Sequence, residues 1–131
     1  MRVLLQRVQE AKVTVGDAVR GQIGKGMLLF LGIHKNDTPE HVSWMVKKVA
    51  TLRIFADENG KMNLDLAAIG GDALVVSQFT LYGDVQTGRR PEFTQAALPE
   101  IAYLLYEEFV KGAPSPIQKF PAGTRCIALS I

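Results

Sequence analysis

The chain has 131 residues, 47% of them hydrophobic and 21% charged, a balance that suits one compact domain over 1–131 and excludes two independent domains or intrinsic disorder. With 15 basic against 13 acidic side chains the formal charge is +2, too little to coat nucleic acid by electrostatics alone, so any RNA contact must be local. The single Cys126 excludes a disulfide framework and a multi-cysteine zinc site; it reads as a small apolar residue in a terminal strand.

From Met1 to Val8 an arginine, Arg7, interrupts the apolar stretch and no small-residue cleavage site follows, so this is no signal peptide. The longest apolar run, Met27 to Leu31, is far shorter than the roughly 20 residues that span a bilayer. A soluble, cytoplasmic protein is expected, with neither a membrane nor DNA as partner.

In chain order, the first third reads as β-structure. Val3, Leu5 and Arg7 alternate with Leu4, Gln6 and Val8 as one strand, and Val13 and Val15 alternate with Lys12 and Thr14 as a second. Gly16-Asp17 supplies a two-residue hairpin turn, Val19 to Ile23 the returning strand, and Met27 to Ile33 a strand apolar on both faces. Four successive strands predict a curled sheet or barrel.

Thr38-Pro39-Glu40 predicts a helix start: a hydroxyl at the N-cap, proline at the first helical position and a carboxylate at the positive end of the dipole. Val42, Met45, Val46 and Val49 then share its apolar face. Trp44 with Lys47 and Lys48 could form an RNA platform, but a solvated face with one partly buried aromatic is the preferred reading. Turns follow at Ala56–Gly60 and Gly70–Asp72, the second leading into a strand at Ala73–Val76. Pro99-Glu100 opens a second helix with Ile101, Leu104, Leu105 and Phe109 on one face, ended by Gly112. Beyond it Pro114, Pro116 and Pro121 interrupt regular structure until a closing strand at Arg125–Ile131. The fold class is α+β: a barrel-like curled sheet with two main helices.

Most catalytic constellations are missing. Gly21 to Gly26 lacks the spacing and ending of a phosphate-binding loop, His34 and His41 lack metal-ligand spacing, and no carboxylate pair is placed for acid–base work. Neither a metal nor a cofactor is implied. Two segments differ from plain scaffold. The buried strand Val75-Val76 runs straight into Ser77-Gln78-Phe79-Thr80, where hydroxyls, an amide and backbone N–H groups crowd a strand end. Such a place can hold an ester carbonyl, or can simply be a turn whose hydroxyls bond their own backbone. In Thr87–Thr94, Arg89 and Arg90 sit in a loop; their forks suit phosphate, and equally solubility or intersubunit ion pairs.

Six blocks in order resemble the D-aminoacyl-tRNA deacylase family: Gln6-Arg7-Val8, Ile23 to Gly26 with Leu31-Gly32-Ile33, Leu52 to Phe55, Gly60 to Asn63, Val76 to Leu81, and Gly88 to Pro91. The resemblance implies a homodimer that hydrolyses the ester joining a D-amino acid, or glycine, to the terminal adenosine of tRNA. It implies that Ser77, Gln78, Phe79 and Thr80 line the pocket, with the Phe79 and Thr80 amides near the scissile carbonyl. It also implies that the substrate's ribose 2′-hydroxyl assists water attack; Thr80 as a covalent nucleophile is the weaker mechanism, since no histidine base lies near it in sequence. Ala102 matches a small residue lining the amino-acid pocket, and Arg89 and Arg90 would lie near the tRNA end.

The resemblance departs at the carboxyl end. The family's Asn-x-Gly-Pro-Val-Thr segment, whose cis Gly-Pro bond enters the partner's pocket and is held by the arginine matching Arg7, has no counterpart in these 131 residues. Two expectations stand: a truncated or frameshifted product with an incomplete pocket, or a divergent member lacking strict chiral proofreading. The rival function is a non-catalytic dimer that binds the tRNA end.

Overall fold

The computed structural model describes residues 1–113 throughout, together with the backbone of 117–120 and 125–130. The strands are β1 (Arg2–Val15), β2 (Ala18–Ile23), β3 (Gly26–Gly32), β4 (Phe55–Ala56), β5 (Met62–Leu64), β6 (Asp72–Ser77), β7 (Ile117–Phe120) and β8 (Arg125–Ser130); the helices are α1 (Pro39–Thr51) and α2 (Pro99–Gly112).

The two strands expected before Gly16 are one. β1 runs unbroken for 14 residues because nothing between Val8 and Lys12 is a turn former. It changes partners instead: Arg2–Val8 pairs with β3 and Ala11–Val15 with β2, all antiparallel, with a register shift at Val13/Thr14 that adds curl. Gly16, at φ +60°, makes the tight turn into β2. β3 pairs in parallel with β6, giving the order β2-β1-β3-β6-β7, with β8 also on β1. β2 comes against β6 and β7, so the sheet closes on itself as the barrel-like α+β reading anticipates.

β7 corrects the expectation of no regular element between Gly112 and Arg125: its four residues pair in parallel with Ala73–Val76. The side chain of Cys126 and the proline junctions at 114–116 and 121–124 lie outside the described residues.

β3 is apolar on both faces because it serves two cores. Met27, Leu29 and Leu31 face α1 and α2 with Val42, Val49 and Phe109, while Leu28 faces Val8, Val13, Leu74 and Val76 inside the curl. Each such fully buried side chain contributes about 1.5–3 kcal/mol. In α1 the expected start is present, with Thr38 at the N-cap and Pro39 in the first turn. Trp44 departs from the sequence reading: it is 62% exposed rather than partly buried.

α2 is rotated relative to the expected apolar face. Its inward stripe is Ala102, Leu105, Tyr106 and Phe109, whereas Ile101 and Leu104 are exposed. The Tyr106 hydroxyl sets this phase by donating to the Val75 carbonyl oxygen at 3.0 Å, which places a polar tip on the sheet and leaves the leucine face outward. No described helix is long and apolar enough to cross a membrane.

Candidate functional site

The site begins where two parallel strands end together. Leu31 of β3 pairs with Ser77, the last residue of β6, and the Gln78 N–H donates to the Leu31 carbonyl oxygen at 2.8 Å. The chain then turns through one 3-10 turn, Phe79–Tyr82, closed by Leu81 N–H to Gln78 O and Gly83 N–H to Thr80 O at 3.4 and 3.0 Å. The N–H groups of Phe79 and Thr80 open this turn and so have no acceptor within it. Phe79 and Thr80 are exposed, Ser77 and Gln78 half-buried.

The Thr80 hydroxyl takes its hydrogen bond from the Gln78 side-chain amide, so the reading in which Thr80 bonds its own backbone does not describe this turn. Phe79 packs edge-on against Phe93, with ring centroids 5.2 Å apart. Gly32 matters here for space: a Cβ on it would lie 3.1 Å from Gln78 O and Leu81 Cβ and 3.3 Å from Tyr82 Cδ2, so the turn sits directly on that glycine.

The same end of β3 anchors the segment leading to α2. The Gln95 carbonyl oxygen accepts from Lys35 N–H at 3.0 Å, the Ile33 carbonyl oxygen from Ala97 N–H at 2.9 Å, and α2 starts two residues after Ala97, at Pro99. Ala102 is half-buried in the first turns of α2, against the core that includes Leu31 and Ile33. The fold thus brings Ser77–Thr80 and the Ala102 helix to one strand end.

Arg7 is not brought there. It pairs with Met27 on β3, whose other neighbour is Ala73, four residues along from the Leu31–Ser77 level and therefore on the order of 13 Å away. Its Nη1 donates to the Ile54 carbonyl oxygen at 2.9 Å. Arg89 and Arg90 lie in an exposed loop whose neck is closed by reciprocal backbone bonds between Asp84 and Glu92, at 2.8 and 2.9 Å.

The His34 Nδ1 accepts from Asn36 N–H at 3.0 Å and its Nε2 lies 3.0 Å from Gln95 Oε1, so both ring nitrogens have partners other than Thr80. The Tyr82 phenol is pushed up from its ordinary value, mainly by burial and further by the Asp37 carboxylate, with Arg2 pulling the other way. Among the described residues no three His, Cys, Asp or Glu side chains gather as a metal site. Among the described residues the Thr80 hydroxyl is bonded by the Gln78 amide, which is not a base, and the arrangement can hold an ester with backbone and amide donors.

The sequence model of the family described as D-Tyr-tRNA(Tyr) deacylase matches residues 4–124, a span that contains Arg7, Ser77 to Thr80, Arg89, Arg90 and Ala102. The chain belongs to that family. The D-aminoacyl-tRNA deacylase of Clostridioides difficile (strain 630) is 58% identical over 113 residues, covering 86% of this chain and 76% of the relative. That of Thermosipho africanus (strain TCF52B) is 49% identical over 123 residues, covering 94% and 83%. Among solved structures, one titled c-Myc DNA Unwinding Element Binding Protein superposes with a TM-score of 0.91 at 33% identity, covering 98% of this chain and 91% of that one. A probable eukaryotic D-amino acid tRNA deacylase gives 0.84 at 17% identity, covering 98% and 92%, a likeness of fold alone.

The sequence reading gave no part in the site to four residues that lie in the 77–83 turn or that the fold sets against it. Phe93, Gly32, Arg2 and Tyr82 all touch the turn or its neighbours. Only Gly32 carried a usable signal, a lone glycine inside an apolar strand.

Proposed function

We infer that this chain hydrolyses the ester of D-aminoacyl-tRNA, and of glycyl-tRNA, releasing the free amino acid and tRNA. The family match over residues 4–124 carries the reading, and the identity to relatives named as deacylases favours turnover over the non-catalytic tRNA-end binder.

In this reading the ester rests at Ser77–Thr80, its carbonyl oxygen toward the Phe79 and Thr80 amides. Water adds to the carbonyl carbon with the neighbouring ribose 2′-hydroxyl assisting. The bond to the terminal ribose oxygen then breaks, and that oxygen takes up a proton. The Thr80 hydroxyl is bonded by the Gln78 amide and not by a base, which supports substrate-assisted attack over a Thr80 nucleophile, because positioning alone can supply about 7–11 kcal/mol of a barrier. Ala102 leaves room for the amino-acid side chain, and Arg89 and Arg90 meet phosphates of the acceptor end.

The working unit is a homodimer, in which Arg7 serves the partner's pocket; its distance from Ser77 along the sheet and the exposed Leu98, just before α2, with Ile101 and Leu104 on it, support this. One domain over 1–131 and a cytoplasmic location complete the reading.

The test incubates the pure protein with D-Tyr-tRNA, L-Tyr-tRNA and Gly-tRNA and follows ester loss. Loss from the D and glycyl forms is expected. No loss above buffer from any of the three, with tRNA still bound, would sink the enzyme reading; equal loss from D and L forms would show that chiral rejection is missing. Light scattering of the same sample checks the dimer.

A further inference from the structure

The 3-10 turn that presents Phe79 and Thr80 is only four residues long, and such turns are weakly held, with poor hydrogen-bond geometry and last carbonyls that have no acceptor role inside the turn. One of those carbonyls, Leu81 O, is taken by a residue from the far end of the chain: Arg2 Nη1 donates to it at 2.8 Å, across 79 residues of sequence. The same guanidinium lies 4.6 Å from the centroid of the Tyr82 ring, the next residue of the turn. Arg2 reaches this place because it pairs across β1–β3 with Gly32, the glycine on whose bare Cα the turn rests. Gly32 supports the turn from the sheet while Arg2 caps the Leu81 carbonyl and covers the Tyr82 ring. Tyr82 is in turn packed 5.3 Å from the His34 ring, whose own nitrogens are engaged by Asn36 and Gln95. Neither the family resemblance nor the pocket residues named above give Arg2 any part.

We propose that Arg2 is a positioning residue for the deacylation: it clamps the Phe79–Tyr82 turn at its carboxyl end and so fixes the amides that hold the ester. This rests on the deacylase reading. A cation beside the negative end of a helical turn is favourable in itself, and the planar fork can serve carbonyl and ring together, which a lysine ammonium does less well. Arg2 is exposed, so its removal leaves the buried cores intact.

The test compares wild type, Arg2→Met and Arg2→Lys on D-Tyr-tRNA and on the minimal ester D-tyrosyl-adenosine, alongside amide hydrogen exchange. For Arg2→Met, kcat should fall about 10-fold on both substrates with KM for tRNA within about 2-fold of wild type, and Arg2→Lys should recover part of it. Exchange of the Leu81 and Gly83 amides should quicken about 10-fold while β3 and β6 amides keep their protection. Unchanged exchange with unchanged kcat would overturn the proposal. So would a defect confined to KM for tRNA with the adenosine ester processed normally, which would make Arg2 an RNA contact. If wild type hydrolyses neither ester, the deacylase reading fails, and the exchange comparison still decides whether Arg2 holds the turn.

Discussion

Two neighbouring segments, the turn at 77–83 and the arginine loop at 84–92, are built to opposite specifications. The first is tied to β3 through Gln78, closed internally through Leu81 and Gly83, seated on Gly32, capped by Arg2 and buttressed by Phe93. Among the described residues the second is fastened at its neck, by the Asp84–Glu92 pair and the Asp84 carboxylate accepting from Gln86 N–H at 2.9 Å, and every residue in it is exposed. If, as proposed, the first carries the ester, fixing from several sides is what its task requires, since placing an ester for attack tolerates little displacement. The proposed phosphate contact of the second is less demanding, because attraction between guanidinium and phosphate acts over several ångströms and survives motion.

The sharpest way to break that contrast is Gly32→Val. The new side chain meets backbone and Cβ atoms of the turn that cannot swing aside, so stability should fall by about 1–3 kcal/mol and kcat by on the order of 100-fold. Thermal melting with steady-state kinetics reads both; a variant that melts lower yet keeps kcat would show that the turn need not be fixed.

The arginine loop should respond in affinity only. Replacing Arg89 and Arg90 together by alanine should weaken tRNA binding about 10-fold and lower the slope of log K against log salt by about 2, with kcat at saturating substrate preserved. A fall in kcat with an unchanged salt slope would move these residues into the pocket.

Phe93 stands between the two segments, at the base of the loop but packed on Phe79. Phe93→Leu keeps the bulk and loses the ring pair, about 0.5–1.5 kcal/mol, so a few-fold loss in kcat is expected with tRNA affinity retained.

The smallest effect lies far from both. The Asp57 carboxylate accepts from the backbone of Lys61 and Asn59 and from the Asn63 amide, which hold its pKa below the ordinary value. A lowered folded pKa means that the stabilisation is complete above about pH 3.9 and fades as pH falls through the lower folded value. Melting temperature measured from pH 6 to pH 2 should show this decline, reduced in Asp57→Asn, while neutral-pH kinetics stay unchanged.

Local chemistry made much of the fold legible. Gly16-Asp17 and Thr38-Pro39 act through their own backbone preferences, and the turn at Gly16 and the start of α1 fall where those residues predict. The phase of α2 was not legible, because Ile101, Leu104, Leu105 and Phe109 and the true stripe of Ala102, Leu105, Tyr106 and Phe109 are both apolar at helical spacing. A bond from Tyr106 to a distant strand decides between them. β7 was hidden by its flanking prolines. The site divides the same way. Ser77, Gln78 and Thr80 are visible in the sequence as polar residues ending a buried strand, which an ester pocket and a plain turn explain equally, whereas Arg2 acquires meaning only when the fold sets it against residues remote in sequence.

The central claim is that this site positions an ester and leaves the assisting hydroxyl to the substrate. Single-turnover hydrolysis of D-Tyr-tRNA ending in adenosine or in 2′-deoxyadenosine, by wild type and Thr80→Ala, tests it most directly. The account predicts that Thr80→Ala keeps much of the wild-type rate on the ribose substrate and that the deoxy substrate is hydrolysed poorly by both. Full activity of wild type on the deoxy substrate, with activity abolished by Thr80→Ala, would contradict it.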